Sequence, residues 1–257
     1  MRKGRSSGKP GVPRVPAVVA LAGRGVAGAP HPQSGGRAGG AAALLVRSTR
    51  VDSLIVFSNG APVAALLLAA MLATSLAGLA VAPTLIERNV FRPYWLVPNR
   101  EYPTLVTSAF VHADLAHLLF NAFTFWAFAF QLERAIGSAS FLWLYVFGLF
   151  CSDAGTWFKH RHEPDYRTLG ASGAILAVLF ASILYFPTGK IFILPLPVPI
   201  PAPLFAIGYL AYTWHASRQG RVRINHDAHL SGALAGIAFV ALTDWAAFGR
   251  AWRSFLS

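Results

Sequence analysis

The chain has 257 residues, 55% of them hydrophobic and only 12% charged, about half the charged share of a soluble domain. With a mean hydropathy of +0.50, that balance excludes a water-soluble fold and leaves room for several membrane spans. The net charge of +12 does not mark a nucleic-acid binder. Nine of the 22 basic residues lie in residues 1–50, where no acidic residue occurs, and no basic stripe with interleaved aromatic rings follows.

Residues 1–53 are rich in Gly, Pro, Ala and Arg, and the first 50 contain no Phe, Tyr or Trp. Such a segment buries too little apolar surface to offset the entropy of ordering, and a disordered basic arm is predicted. No succession of charged, apolar and small residues precedes residue 50, so no cleaved leader is expected.

Residues 54–250 change character, and the residues after them read as a short tail, 251–257. A span needs roughly 20 mainly apolar residues. Six candidates meet or approach that length: 61–82, 115–132, 138–158, 171–187, 202–218 and 228–248. The stretch between the first two carries Phe91, Tyr94, Trp95 and Tyr102, rings suited to the headgroup region. It is expected to lie in the membrane interface, with an ordinary solvent loop as the alternative. The single cysteine, Cys151, allows no internal disulfide and reads as a small buried side chain. Before the fifth candidate the sequence reads PLPVPIPAP. Each proline pushes its predecessor out of the α region, so this stretch is predicted to be extended, with a helix starting near Pro203. Counting Lys and Arg with the arm included puts the amino terminus in the cytoplasm.

Polar groups inside spans are costly and are functional candidates for that reason. His117 and Asn121 sit early in the second candidate span, Ser172 opens the fourth, and His229 opens the sixth. Because spans alternate in direction, all three starts fall on one side, within about 10 Å of one depth. His117 and Asn121 are four apart and share a helix face. Ser172 lies in Gly170-Ala171-Ser172-Gly173, where small neighbours leave the hydroxyl approachable and first-turn N–H groups are free for an oxyanion. Gly232 and Gly236 follow His229 as a small-xxx-small face that lets another helix approach. A serine needs an adjacent base to become a nucleophile, and an imidazole suits that task. Taken singly, each signal has a structural explanation in helix packing or a satisfied core histidine.

HADLAHLLFNAF from His112, Leu132-Glu133-Arg134 with Gly137, GASG at 170–173 and HDAHLSGALAG at 226–236 together resemble the rhomboid family of intramembrane serine proteases. The resemblance covers roughly residues 60–250. It implies an all-α polytopic membrane protein: a rhomboid-like bundle of six transmembrane helices with a membrane-interfacial loop after the first. It also implies Ser172 as nucleophile and His229 as general base, a dyad without an acidic third member. His117, Asn121 and the Ser172 amide would line the oxyanion pocket. Gly170 and Gly173 would shape the turn, and Glu133 with Arg134 would anchor the loop after the second span. No metal or cofactor is implied. The implied partners are transmembrane protein substrates and the lipid bilayer, with no nucleic acid. The implied location is a bacterial inner (plasma) membrane, with the site opening to the far side.

Two positions depart from the family pattern. Pro103-Thr104 stands where many members carry Trp-Arg, and Leu176 stands where a tyrosine often stacks on the catalytic histidine. The competing reading is a non-catalytic member that binds membrane clients. A metal or haem protein is disfavoured because His112 and His117, five apart, lie about 140° apart around a helix. A transporter is disfavoured because no internal repeat is present.

Overall fold

The computed structural model describes residues 60–193, 196–219 and 224–256. The predicted arm, 1–53, lies outside them. Helix α1 spans Pro62–Ala80 and is followed at once by α2, Pro83–Asn89. Each starts with a proline near its first position, where a missing N–H costs nothing. A short α3 (Thr104–Thr107) and a 3-10 turn (Ser108–Phe110) lead to α4, Leu115–Ile136. Only Gly137 separates α4 from α5, Ser138–His160.

Glu133 joins the first three long elements. Its carboxylate is fully buried and accepts the N–H groups of Val63 at 3.0 Å and Ala64 at 2.7 Å, and the Ser138 hydroxyl at 2.6 Å. One acid therefore caps the start of α1 and holds the α4–α5 corner. A first-turn position suits it, because those N–H groups have no helical acceptor and the helix dipole favours negative charge there.

Helix α6, Ser172–Tyr185, is the centre of the molecule, and every residue from Gly173 to Ile183 is buried. It carries no charge and is apolar on all sides, which is the pattern of a helix surrounded by others. It packs on α4, α5 and α8 (His226–Thr243).

Three described helices, α1, α4 and α5, are long and apolar enough to cross a membrane, or four if α8 and the next helix form one bent span. Six had been expected. The sixth candidate, 228–248, is not continuous. Helix α8 ends at Thr243, and α9, Trp245–Leu256, departs at 113°. Asp244 sits at the break, where its side chain accepts the Ala247 N–H at 2.8 Å and so caps a new helix. The residues read as a tail therefore continue as α9.

The proline-rich stretch is extended, as predicted, and it pairs. Strand β1, Lys190–Ile193, runs antiparallel to β2, Leu196–Pro201. Helix α7 follows as Ala202–Gln219. Among the described residues the architecture is otherwise helical, and this hairpin is its one β element. Proline forbids helix here but tolerates a strand that has no second neighbour.

The segment between α1 and α4 is folded rather than a free loop. Phe91, expected among the headgroups, is fully buried. Its N–H donates to the Thr168 carbonyl at 2.8 Å and its carbonyl accepts the Thr168 N–H at 3.0 Å. The Trp95 indole donates to the Pro164 carbonyl at 3.1 Å. Tyr94 and Tyr102 remain exposed.

Candidate active site

Ser172 is the first residue of α6, and the chain leading to it is held from two sides. Thr168 pairs with Phe91, and the Gly170 N–H donates to the Ser108 carbonyl at 2.9 Å. Gly170 has φ +107, a conformation that side-chain-bearing residues rarely adopt. That turn delivers Ser172 with its first-turn N–H groups unused by the helix.

His229 is placed by α8. The Asn225 side chain caps that helix by accepting the Ala228 N–H at 3.0 Å and donates to Thr156 of α5 at 2.9 Å. Gly232 lies against the Gly173 carbonyl and Gly236 against the Ala177 carbonyl, so closely that a β-carbon at either would overlap backbone. This contact of α8 with α6 brings His229 Nε2 to 2.9 Å from Ser172 Oγ. The small-xxx-small face read from the sequence is the face that α6 occupies.

His117 and Asn121 arrive from α4. Asp114 caps that helix by accepting the His117 N–H at 2.8 Å. A β-carbon at Gly170 would come within 2.8 Å of His117 Nε2 and 3.6 Å of Asn121 Nδ2, so both side chains converge on the turn before Ser172. Asn121 is buried, and its Nδ2 has no hydrogen-bond partner among the described residues. A buried donor left free is costly and stands ready for an acceptor that arrives later. Gly173 follows Ser172 in α6, where a β-carbon would overlap the Ser152 side chain of α5.

Two contacts were not read from the sequence. His112 is fully buried behind His117, the rings edge to face at 4.8 Å, and its Nδ1 lies 2.8 Å from the Ser75 hydroxyl of α1. Burial, and secondarily the charge of His117, pushes His112 down to about 3, partly opposed by Asp114. It is neutral near pH 7. The other is Tyr209 of α7, whose hydroxyl lies 3.0 Å from His229 Nδ1. Asp227, two residues before His229, is engaged elsewhere, with Lys159 at 2.9 Å and His160 at 3.1 Å. No spacing rule links Tyr209 to His229, because the two meet only through the packing of α7 on α8.

A family model described as Rhomboid domain matches residues 99–245. The human presenilin-associated rhomboid-like protein, mitochondrial, is 32% identical over 141 residues, 53% of this chain and 36% of that protein. Rhomboid protein 1, mitochondrial, of Saccharomyces cerevisiae is 29% identical over 165 residues, 58% of this chain and 45% of its own. YdcA of Bacillus subtilis, a rhomboid by name, is 41% identical over 90 residues, 35% of this chain and 43% of its own. The chain thus matches less than half the length of each relative. The matched region contains His117, Asn121, Ser172, Tyr209 and His229, and the chain belongs to the rhomboid family.

Proposed function

We propose that the protein is an intramembrane serine endopeptidase that cuts peptide bonds in or near transmembrane segments of other membrane proteins. The observation that carries this reading is the 2.9 Å approach of Ser172 Oγ to His229 Nε2 beside the unpartnered amide of Asn121. In the first step His229 Nε2 takes the Ser172 proton as Oγ attacks the scissile carbonyl carbon. The tetrahedral oxyanion would be held by Asn121 Nδ2, the His117 ring and the Ser172 N–H. Collapse expels the amine, which takes the proton from His229 and leaves an acyl ester on Ser172. Water, deprotonated by His229, then hydrolyses that ester and restores the serine.

Two features support a membrane substrate. Helix α6 has 14 residues, about 21 Å of rise, against a hydrocarbon core of roughly 30 Å. A helix this short leaves its serine recessed below one surface, where water has to be admitted and a peptide has to unwind. Between α4 and α7 lies an apolar groove of about 1010 Å³, lined by Phe120, Phe123, Ile183, Ile191, Phe205 and Tyr209. It suits an apolar helix, and Tyr209 connects it to His229. The expectation of a bacterial plasma membrane gains no support from relatives that are mostly mitochondrial by name.

A fluorescent fluorophosphonate tests the reading without a known substrate. Purified wild type in detergent is expected to label, and Ser172→Ala and His229→Ala are not. Absence of labelling in folded wild type would replace this reading with a member that binds membrane clients without cutting them.

A further inference from the structure

A histidine acting as base through Nε2 has to carry its own proton on Nδ1, and whatever accepts that Nδ1–H selects the tautomer and sets the ring plane. In serine enzymes with a triad a carboxylate does this. Here the carboxylate nearest in sequence, Asp227, is committed to Lys159 and His160. The position from which family members often stack a tyrosine on the histidine holds Leu176, a buried aliphatic side chain that packs in the same apolar cluster as Tyr209. On the bare dyad, His229 would have nothing to choose between its two neutral tautomers.

The geometry points to Tyr209 as the positioning residue of the dyad: its phenol oxygen accepts the His229 Nδ1–H and aims Nε2 at Ser172. The two hydrogen bonds, 3.0 Å at Nδ1 and 2.9 Å at Nε2, lie on opposite nitrogens of one ring. The protease reading requires the Ser172 hydroxyl to donate to Nε2, and with that direction Nδ1 carries the hydrogen and Tyr209 is the acceptor. The phenol is itself held. Its ring stacks on Phe205 of α7 at 5.5 Å and leans on Phe180 of α6 at 5.9 Å. Phe180 belongs to the nucleophile's own helix, so the orienting group is referenced to the same element as Ser172.

This inference rests on the protease reading and is tested separately from it. Tyr209→Phe keeps the ring contacts and removes only the oxygen. On a transmembrane substrate that wild type cuts, its kcat is expected to fall by about 10-fold with KM unchanged. The loss is smaller than the roughly 10,000-fold seen when a triad carboxylate is neutralised, because a phenol is an uncharged acceptor. Nitrogen-15 shifts of labelled histidine are expected to show His229 protonated at Nδ1 in wild type and mixed between tautomers in Tyr209→Phe. A packing role alone would move neither kcat nor the tautomer. Wild-type kcat in Tyr209→Phe, with the Nδ1 tautomer retained, would overturn the inference. Should that variant not fold, the wild-type spectrum decides, since a His229 protonated at Nε2 refutes it. Failure of wild type to label with fluorophosphonate would instead sink the protease reading, and the tautomer would still report the Tyr209 contact.

Discussion

Gly232 of α8 lies directly on the carbonyl of Gly173 in α6, with no room for a β-carbon between them. That contact sits one residue beyond Ser172 and three beyond His229, so the spacing of the two backbones sets the distance between those two side chains. Gly232→Ala forces the helices apart. Overpacking of this kind costs about 1–3 kcal/mol, and the expected result is a lowered unfolding temperature with fluorophosphonate labelling reduced at least tenfold. Gly208→Ala is the stability control, because nothing lies within 4 Å of a β-carbon there. Equal stability in the two variants would contradict the proposed role of the contact.

Asn121 separates activity from stability. Its Nδ2 is buried without a partner in the resting protein, so removing it takes away no native hydrogen bond at that atom. Asn121→Leu is expected to leave thermal stability unchanged or raised. Loss of one oxyanion donor typically lowers kcat by about 100-fold to 1000-fold, and a fall in that range with little change in KM is expected. A variant that cleaves at the wild-type rate would remove Asn121 from the oxyanion pocket.

Glu133 behaves in the opposite way. It satisfies two first-turn N–H groups of α1 and the Ser138 hydroxyl from a fully buried position. Glu133→Ala orphans them, at about 1–3 kcal/mol for each buried donor left unsatisfied. The expected outcome is a large loss of stability on denaturant or thermal titration, with labelling retained in whatever fraction stays folded. If Glu133→Ala unfolds where wild type does, the carboxylate is not the clamp described here.

His112 contributes a pH dependence of stability. Its folded-state value is pushed down to about 3, chiefly by burial, whereas an unfolded histidine titrates near 6.5. Between those values the unfolded chain binds the extra proton. Stability is therefore full above about pH 6.5 and declines as pH falls towards 3. His112→Gln should flatten that acid slope in unfolding temperatures measured from pH 8 to pH 4. An unchanged slope would assign it to other groups.

Much of this site was legible in the sequence because membrane spans advertise their polar residues. His117, Asn121, Ser172 and His229 interrupt apolar runs, and each falls in the first two turns of its helix. The proline run announced extended backbone for a local reason, since proline acts on its own neighbours. The break at Asp244 was harder to see, because Leu242 to Phe248 is apolar enough to read through and only the cap on Ala247 reveals a new helix.

By itself, the sequence determined the class of molecule, the family and the four polar side chains, all of which depend on composition, local propensity or spacing along one helix. Tertiary structure decided what those properties cannot encode. It turned the small-residue face of α8 towards α6 and brought two nitrogens of one imidazole to two different helices. It buried Phe91 against Thr168 and put the Tyr209 oxygen where a triad would have a carboxylate. The reason is geometric. Contacts between residues 20 to 77 positions apart depend on how helices cross, and the crossing is set by the whole packed core around α6 rather than by any segment of the chain.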